Sequence, residues 1–418
     1  MNNKILTIII VAIVAIAGVA GAVLLLNNNG NKNPDYDLSK DAVGRDVVIP
    51  NNLEDGIVPV GVGALRWVSY FGMDGNVVMK DLNDNSNYLG KSYLYAVGDT
   101  IGALTKSTTG SGSLSNEDVT FILNLTKKPI VVTTDTVYES NNLQIKALEE
   151  GGINVCIIYE LEDFINLTTF KVSEKFEYQT KLVGEIMKSP ARATELINGV
   201  NNTIGDIRNL VRNVTPVEGY IGALSYSGAK GITYSSGTYL PFQLANINNA
   251  IEGNDLVAEF SVAYLTQKIS GSTKIFVDAN GSNVMKTGAD NENVALIKTF
   301  KSGGNDGYIA FPYVWFGLNF DNVLIGAYQL ISYVYSAQLS KTAFTEKVNG
   351  IYDLFYGGHN SNRVVTASGV PAPTTTTSIY NDMSNVFVNM TGTGLNGWRA
   401  PTYGNAYFLT NGTISSTA

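Results

Sequence analysis

Six short apolar runs, spaced along the middle of the chain, constrain the fold more than any other feature of the sequence. They occupy residues 57–60, 129–133, 154–159, 220–224, 274–278 and 307–311. Each run is rich in β-branched residues and almost continuously apolar, which is typical of a parallel strand covered on both faces. Helical patterns lie between the runs, such as 143–150, which ends before a Gly-Gly pair suited to a helix C-cap. The repeated order of strand, helix and strand predicts right-handed βαβ units and an α/β fold.

A longer helical pattern separates the first three runs from the last three. Between residues 189 and 213 the apolar residues recur at spacings of three and four, on one stripe. Ser189 is a suitable N-cap and Pro190 a suitable first helical residue. A helix of about 24 residues would be about 36 Å long, although Gly199 and the Asn pair at 201–202 leave a break open. We therefore predict two Rossmann-like α/β lobes joined by a long α-helix.

The amino-terminal segment has the composition of a membrane span. No charged residue occurs from Ile5 to Leu26, and about 22 helical residues span about 33 Å, enough for the hydrocarbon core of a bilayer. A cleaved signal peptide is the alternative, although its apolar region is usually only about 7–15 residues long. Lys4 favours an amino terminus that stays inside the cell. We expect a cell-membrane protein with a single N-terminal transmembrane helix and its bulk on the extracellular face.

The sequence divides into six segments. They are a membrane anchor or signal segment at 1–26, a tether at 27–53, an N-terminal α/β lobe at 54–188, a linker helix at 189–213, a C-terminal α/β lobe at 214–364, and a Thr/Gly/Asn-rich extension at 365–418. The tether begins with a polar, unpatterned stretch at 27–34. The N-x-S/T sequons are compatible with glycosylation, but Asn is so common that several are expected by chance.

Composition excludes several classes of function. The chain has 28 basic and 36 acidic residues, a net charge of −8 and no cluster of Lys and Arg. We therefore expect no nucleic-acid partner, because neutralising phosphates supplies most of that affinity. The single Cys156 and the single His359 exclude a disulfide framework, and they exclude a Cys/His zinc site or nucleophile pair unless the two meet. Gly61 and Gly63 begin a dinucleotide-type motif, but Arg66 replaces its third glycine. We predict no enzyme, no cofactor and no metal.

Several segments, taken in order, carry a resemblance to a known family. Residues 58–72 have the pattern of a strand, a small-residue turn and a helix ending in glycine, with a further strand at 76–79. The other matching segments are 116–132, 220–232, 241–250, 259–278, 322–330 and 351–357. Together they resemble the periplasmic-binding-protein family of iron-complex and cobalamin ABC importers, over roughly residues 54–360. The resemblance implies class III proteins: two lobes linked by a helix, a ligand held between them, and a permease in the membrane as partner. A monomer is expected.

Candidate ligand-binding residues follow the predicted strands, because α/β sheets bind ligands beyond the carboxyl ends of their strands. They are Gly61, Gly63, Arg66, Thr134, Tyr226, Lys230, Tyr234, Tyr313 and Trp315. Arg66 lies in the first turn of a predicted helix, where the helix dipole and a guanidinium both favour an anion. The alternative is an ordinary exposed arginine. Members of the resembled family commonly carry an acid at this place, so their ligand is not carried over.

Two functions remain open from the sequence. The first is an extracellular substrate-binding protein of an ABC importer, whose ligand is an anionic or polar metal chelate such as an iron chelate or corrinoid. In this interpretation Glu117 and Glu259, each expected at the start of a helix that precedes a strand, are the permease-docking residues. The second is a cell-surface interaction or wall-associated protein with the same fold and no role in transport.

Overall fold

The structure is a computed structural model. It describes residues 36–84, 91–104, 106–161, 163–224, 228–253, 257–281, 296, 299–300, 307–313, 318–357, 399–400, 407–410 and 413–415. The predicted membrane span, Tyr226, Trp315 and His359 lie outside these residues, as does most of the extension. Within the described part of the chain, no helix is both long enough and apolar enough to cross a bilayer.

The N-terminal half contains a parallel sheet of three strands. Strands β1 (Ile57–Val60), β2 (Ile130–Thr134) and β3 (Val155–Ile158) lie in that order, and every residue in them is buried. Around them lie α1 (Ala64–Tyr70), α2 (Ser92–Gly102), α3 (Asn116–Leu123), α4 (Asp135–Ser140), α5 (Asn142–Glu150), α6 (Glu174–Ile186) and the two-stranded hairpin of β4 (Ile165–Asn166) and β5 (Lys171–Val172). The continuous apolar runs therefore form parallel strands covered on both faces, as predicted.

The segment before β1 runs along the outer edge of β3. The amide of Ala42 donates to the carbonyl of Ile157 (3.0 Å), and the amide of Ile157 donates to the Asp41 carboxylate (3.3 Å). The guanidinium of Arg45 donates to the carbonyl of Val155 (3.1 Å). An edge strand leaves backbone groups without ladder partners. This part of the sequence assigned to the tether supplies such partners to β3.

The long helix α7 (Pro190–Val211) is continuous through the residues at which a break was left open. Gly199 lies against Leu354, and a Cβ there would be 2.3 Å from Leu354 Cδ1. The Asn201 side chain accepts a hydrogen bond from the amide of Val172 (2.9 Å). Ser189 is the N-cap residue as expected, but its side chain makes no capping hydrogen bond. Gly199 and Asn201 are weak helix formers, and their presence in α7 is explained by close packing against Leu354 and by the hydrogen bond to the Val172 amide.

The C-terminal half contains a larger sheet, in the order β14-β13-β12-β11-β10-β6-β8. Its strands are β6 (Val217–Gly222), β8 (Ile247–Asn249), β10 (Lys274–Asp278), β11 (Gly307–Ala310), β12 (Arg399–Ala400), β13 (Tyr407–Thr410) and β14 (Thr413–Ser415). They are parallel from β8 to β12 and antiparallel from β12 to β14. The other elements are β7 (Tyr234–Ser235), α8 (Leu240–Leu244), β9 (Ala258–Glu259), α9 (Val262–Lys268), α10 (Phe320–Val334) and α11 (Lys341–Tyr356). The predicted α/β class, with parallel sheets, is confirmed.

Aromatic side chains from both halves meet in one cluster around Phe320, the first residue of α10. Its ring centroid lies 5.5 Å from that of Trp67, 4.7 Å from that of Phe164 and 5.1 Å from that of Phe176. Trp67 and Phe320 are 1% and 0% exposed. One hydrophobic core is therefore continuous through both halves of the described chain.

Candidate functional site

The turn after β1 is held in place by a buried carboxylate. Asp81 accepts hydrogen bonds from the amides of Gly61 (2.9 Å), Asn83 (2.8 Å) and Gly112 (3.1 Å). Burial raises the pKa of the Asp81 carboxyl, and these backbone donors act against that rise. Gly61 has φ +102, and a Cβ there would lie 2.7 Å from Thr134 Oγ1. Only glycine gives both this backbone conformation and this close approach to β2.

Arg66 lies at the contact between the two lobes. It is 1% exposed, and its guanidinium carbon is 4.5 Å from the centroid of the Phe320 ring. A Cβ at Gly63, where φ is +86, would lie 2.8 Å from Arg66 Nη2, so the guanidinium folds back over the turn. A cation over an aromatic face is a favourable contact. The alternative of an exposed surface arginine is therefore wrong, and the role of Arg66 in ligand contact stays a prediction.

The carboxyl ends of β2 and β3 place an acid beside this turn. Thr134 is buried, and its hydroxyl accepts a hydrogen bond from the amide of Val137 (3.4 Å), which caps α4. Glu160 follows β3, and its amide donates to Asp135 Oδ1 (2.9 Å). Partial burial raises the pKa of the Glu160 carboxyl, while a hydrogen bond with Thr136 acts to lower it, as does the nearby charge of Arg66. Glu160 was not among the predicted residues, although an acid directly after an apolar run is a signal in the sequence.

A second carboxylate that the sequence did not single out is Asp84. It is 7% exposed and accepts a hydrogen bond from the Tyr93 hydroxyl (2.8 Å). Burial raises its pKa to about 7, and the charge of Lys91 acts in the opposite direction. The Lys91 ammonium also donates to the carbonyl of Asn83. Asp84 is thus set to change its charge near neutral pH.

The C-terminal sheet has a matching arrangement at its carboxyl edge. Asp278, the last residue of β10, accepts hydrogen bonds from the amides of Asn280 (2.7 Å) and Tyr313 (2.8 Å). Burial holds the pKa of the Asp278 carboxyl well above its usual range. The Tyr313 ring is 6% exposed, and its centroid lies 4.9 Å from that of Tyr239. In each half, a buried carboxylate joins the loops that leave the carboxyl ends of the strands.

The other predicted residues of the second half form a group with a predicted docking residue. Lys230 Nζ lies 5.0 Å from the centroid of the Tyr234 ring, and the Tyr234 hydroxyl donates to Glu259 (3.1 Å). Glu259 lies in β9, and α9 begins only at Val262, so its expected place at a helix start is wrong. Glu117 does lie in the first turn of α3.

The structure brings only some of the predicted binding residues together. Gly61, Gly63, Arg66 and Thr134 meet at the carboxyl edge of the N-terminal sheet. Tyr313 packs near Asp278, and Lys230 and Tyr234 form a group with Glu259. Tyr226 and Trp315 lie outside the described residues. The ligand contacts of all these residues stay predictions.

No protein-family model matches the chain, and no curated protein matches it. Solved structures do. Molybdate-bound MolA, a molybdate periplasmic binding protein of an ABC transporter from Haemophilus influenzae, is 15% identical over 76% of this chain and 97% of its own, with a TM-score of 0.56. The TroA-like periplasmic binding protein FepB from Veillonella parvula is 14% identical over 76% and 95%, with a TM-score of 0.54. An ABC transporter solute binding protein from Sulfurospirillum deleyianum is 17% identical over 76% and 94%, with a TM-score of 0.51.

All three matches are described as binding proteins. At identities of 14–17% the likeness establishes the fold. The chain therefore has the two-lobed α/β fold of the class III, helix-linked periplasmic binding proteins, as its sequence resemblance predicts.

Proposed function

We propose that this chain is the extracellular substrate-binding protein of an ABC importer. In this proposal it captures an iron chelate, a corrinoid or a similar metal complex between its two lobes and delivers it to a membrane permease. The observation that carries the proposal is the fold. Two α/β halves with sheets of mainly parallel strands lie on either side of α7 in the sequence, and the fold matches those of three binding proteins. Ligands of open α/β sheets bind beyond the carboxyl ends of the strands.

The charged groups near those strand ends support a ligand that is anionic or polar. Arg66 lies beside the turn of Gly61 and Gly63, and Lys230 lies on the second half. A guanidinium grips a carboxylate or another oxyanion with two parallel hydrogen bonds. Glu160 adds an acceptor at the end of β3 for a donor on the same ligand.

The docking and membrane parts of the proposal rest on the surface and on the amino-terminal sequence. Glu117 and Glu259 are exposed acids, one in each half, and could meet basic residues of a permease. Residues 1–26 would anchor the chain in the cell membrane and leave its bulk on the extracellular face.

Thermal unfolding of the full chain in detergent tests the proposal. The probes are ferric citrate, a ferric hydroxamate and cyanocobalamin, and iron-free citrate and the iron-free hydroxamate are the matched controls for the first two. We expect one loaded complex to raise the unfolding midpoint, because ligand at a hundredfold excess over Kd stabilises the native state by about 2.7 kcal/mol. Arg66→Lys should weaken the affinity for that complex at least tenfold, and the rise of the unfolding midpoint should become smaller accordingly. The midpoint of the variant without ligand shows whether the fold is intact.

Absence of ligand stabilisation and of a permease would contradict this function. If no loaded complex changes the midpoint and no permease copurifies with the chain, import is not its function. If removal of residues 365–418 also released the protein from the cell wall, the wall-associated alternative would take its place.

A further inference from the structure

A cavity of about 430 Å³ lies beside the linker helix, where both halves of the chain contribute to its wall. Leu167 and Phe170 come from the β4–β5 hairpin, Arg208 from the last turns of α7, and the remainder from α8, β8 and the loops around them. The wall along β8 begins at Ile247, which pairs with the first residue of β6. This part of the wall lies at the amino edge of the sheet, whereas Tyr239, in the same wall, packs against Tyr313 at the carboxyl edge.

The charge of the cavity comes from one side chain. Among the described residues that line it, Arg208 alone is charged. Its guanidinium carbon lies 3.9 Å from the centroid of the Phe170 ring, and its Nη1 donates a long hydrogen bond (3.4 Å) to the carbonyl of Gln243. In the described part of the chain, no carboxylate forms an ion pair with it. A partly desolvated guanidinium with an aromatic contact and no counter-charge is a site for an anion.

Four amide side chains lie in the same wall, and two of them, Gln243 and Asn248, are available for hydrogen bonding to a ligand. Asn246 and Asn249 already donate to backbone carbonyls at 3.4 Å and 2.9 Å. The side chains of Gln243 and Asn248, in contrast, have no hydrogen-bond partner among the described residues. The remainder of the wall is apolar or aromatic, including Phe170 and Phe242. The volume of the cavity lies in the range of about 300–1,000 Å³ that small-molecule binding pockets have, and its wall carries more polar side chains than most such pockets.

We propose that this cavity is a second binding site, and that it takes a small aromatic carboxylate. The carboxylate pairs with Arg208, the ring packs on Phe170, and the amides of Gln243 and Asn248 hydrogen-bond to the polar edge of the ligand. Because the wall comes from the hairpin, the linker helix and the second half together, the occupant binds only when these three parts are packed against each other. The ligand therefore stabilises the arrangement of the two halves.

Benzoate and benzamide test this inference, since the two have the same shape and differ in charge. Titration of the full chain, followed by isothermal calorimetry and by the unfolding midpoint, should show binding of benzoate and at least tenfold weaker binding of benzamide. Arg208→Met should weaken benzoate binding at least tenfold. Arg212→Met is the matched control: Arg212 lies one turn further along, is exposed and does not line the cavity, so its variant should bind like the wild type.

Other outcomes overturn the proposal. It fails if benzoate does not bind, if benzamide binds as tightly, or if the two arginine variants lose equal affinity. Circular dichroism reports whether Arg208→Met folds. If it does not, Arg208→Lys and Asn248→Leu replace it, because the first keeps the charge and the second changes an exposed side chain. Undiminished benzoate affinity in both of these variants also overturns the proposal.

Discussion

Asp84 shows how burial changes the chemistry of a single carboxylate in this protein. Burial raises its pKa to about 7 from the ordinary value of 3.8. Between these two pH values the folded state therefore keeps a proton that the unfolded state has lost. Stability from this group is therefore full below about pH 4 and is lost as the pH rises through about 7. Each pKa unit corresponds to about 1.4 kcal/mol.

Asp84→Asn should remove this dependence on pH. We expect the free energy of unfolding of the wild type to fall by roughly 2–4 kcal/mol more than that of the variant between pH 4 and 8. Urea unfolding at several pH values measures the difference. Asp55→Asn changes an exposed carboxylate and should leave the slope as it is in the wild type. Parallel curves for Asp84→Asn and the wild type would contradict the assignment.

The linker helix α7 contains two glycines in different surroundings, which separates helix propensity from packing. A Cβ at Gly199 would meet Leu354 Cδ1 at 2.3 Å and Leu354 Cγ at 3.0 Å, whereas a Cβ at Gly205 would meet nothing within 4 Å. Alanine is favoured over glycine inside a helix by about 1 kcal/mol. That gain is available at both positions, but at Gly199 the added methyl group must also displace the side chain of Leu354 in α11.

Gly205→Ala should raise the free energy of unfolding by about 0.5–1 kcal/mol. Gly199→Ala should lower it by up to about 2 kcal/mol, because overpacking costs more than the helix gains. Chemical denaturation of both variants checks the pair. Equal stabilisation by the two substitutions would mean that α11 does not approach α7 at Gly199.

Across the whole molecule, the two halves share one core and one polar network. Asp321 of α10 is fully buried and accepts hydrogen bonds from the hydroxyls of Tyr70 (3.1 Å), Tyr356 (3.0 Å) and Ser92. Burial raises the pKa of the Asp321 carboxyl, against these three donors. The aromatic cluster around Phe320 and this network are contacts between the two halves. Unfolding of one half would break them, so the two halves should unfold together.

We therefore expect a single unfolding transition, seen at the same denaturant concentration by tryptophan fluorescence and by circular dichroism. Phe320→Ala should lower the free energy of unfolding by about 3–5 kcal/mol. Because it removes the side chain that joins the halves, the transition seen by fluorescence and the one seen by circular dichroism should then occur at different denaturant concentrations. Phe276→Ala, within the core of the C-terminal half, should cost a similar amount without separating them. Coincident transitions in Phe320→Ala would show that the halves are joined mainly elsewhere.

Local pattern was sufficient for much of the fold. The run at 274–278 coincides with β10, and the runs at 129–133 and 154–159 differ from β2 and β3 by one residue at each end. The stripe between 189 and 213 became α7. These features depend on neighbours along the chain, since periodicity of apolar residues determines which face of a helix or strand is buried. The site was harder to predict from the sequence. The pKa values of Glu160 and Asp84 depend on their burial, and a local sequence pattern does not show which carboxylates are buried.

The sequence by itself determined the α/β class, most of the strands and the long linker helix. Only the tertiary structure decided that Arg66 lies buried under Phe320, that Tyr234 binds Glu259, and that Tyr70 and Asp321, 251 residues apart, share a hydrogen bond. The reason is physical. Strands and helices follow from interactions between residues close in sequence, whereas charge, burial and contacts at a site depend on which distant segments pack together.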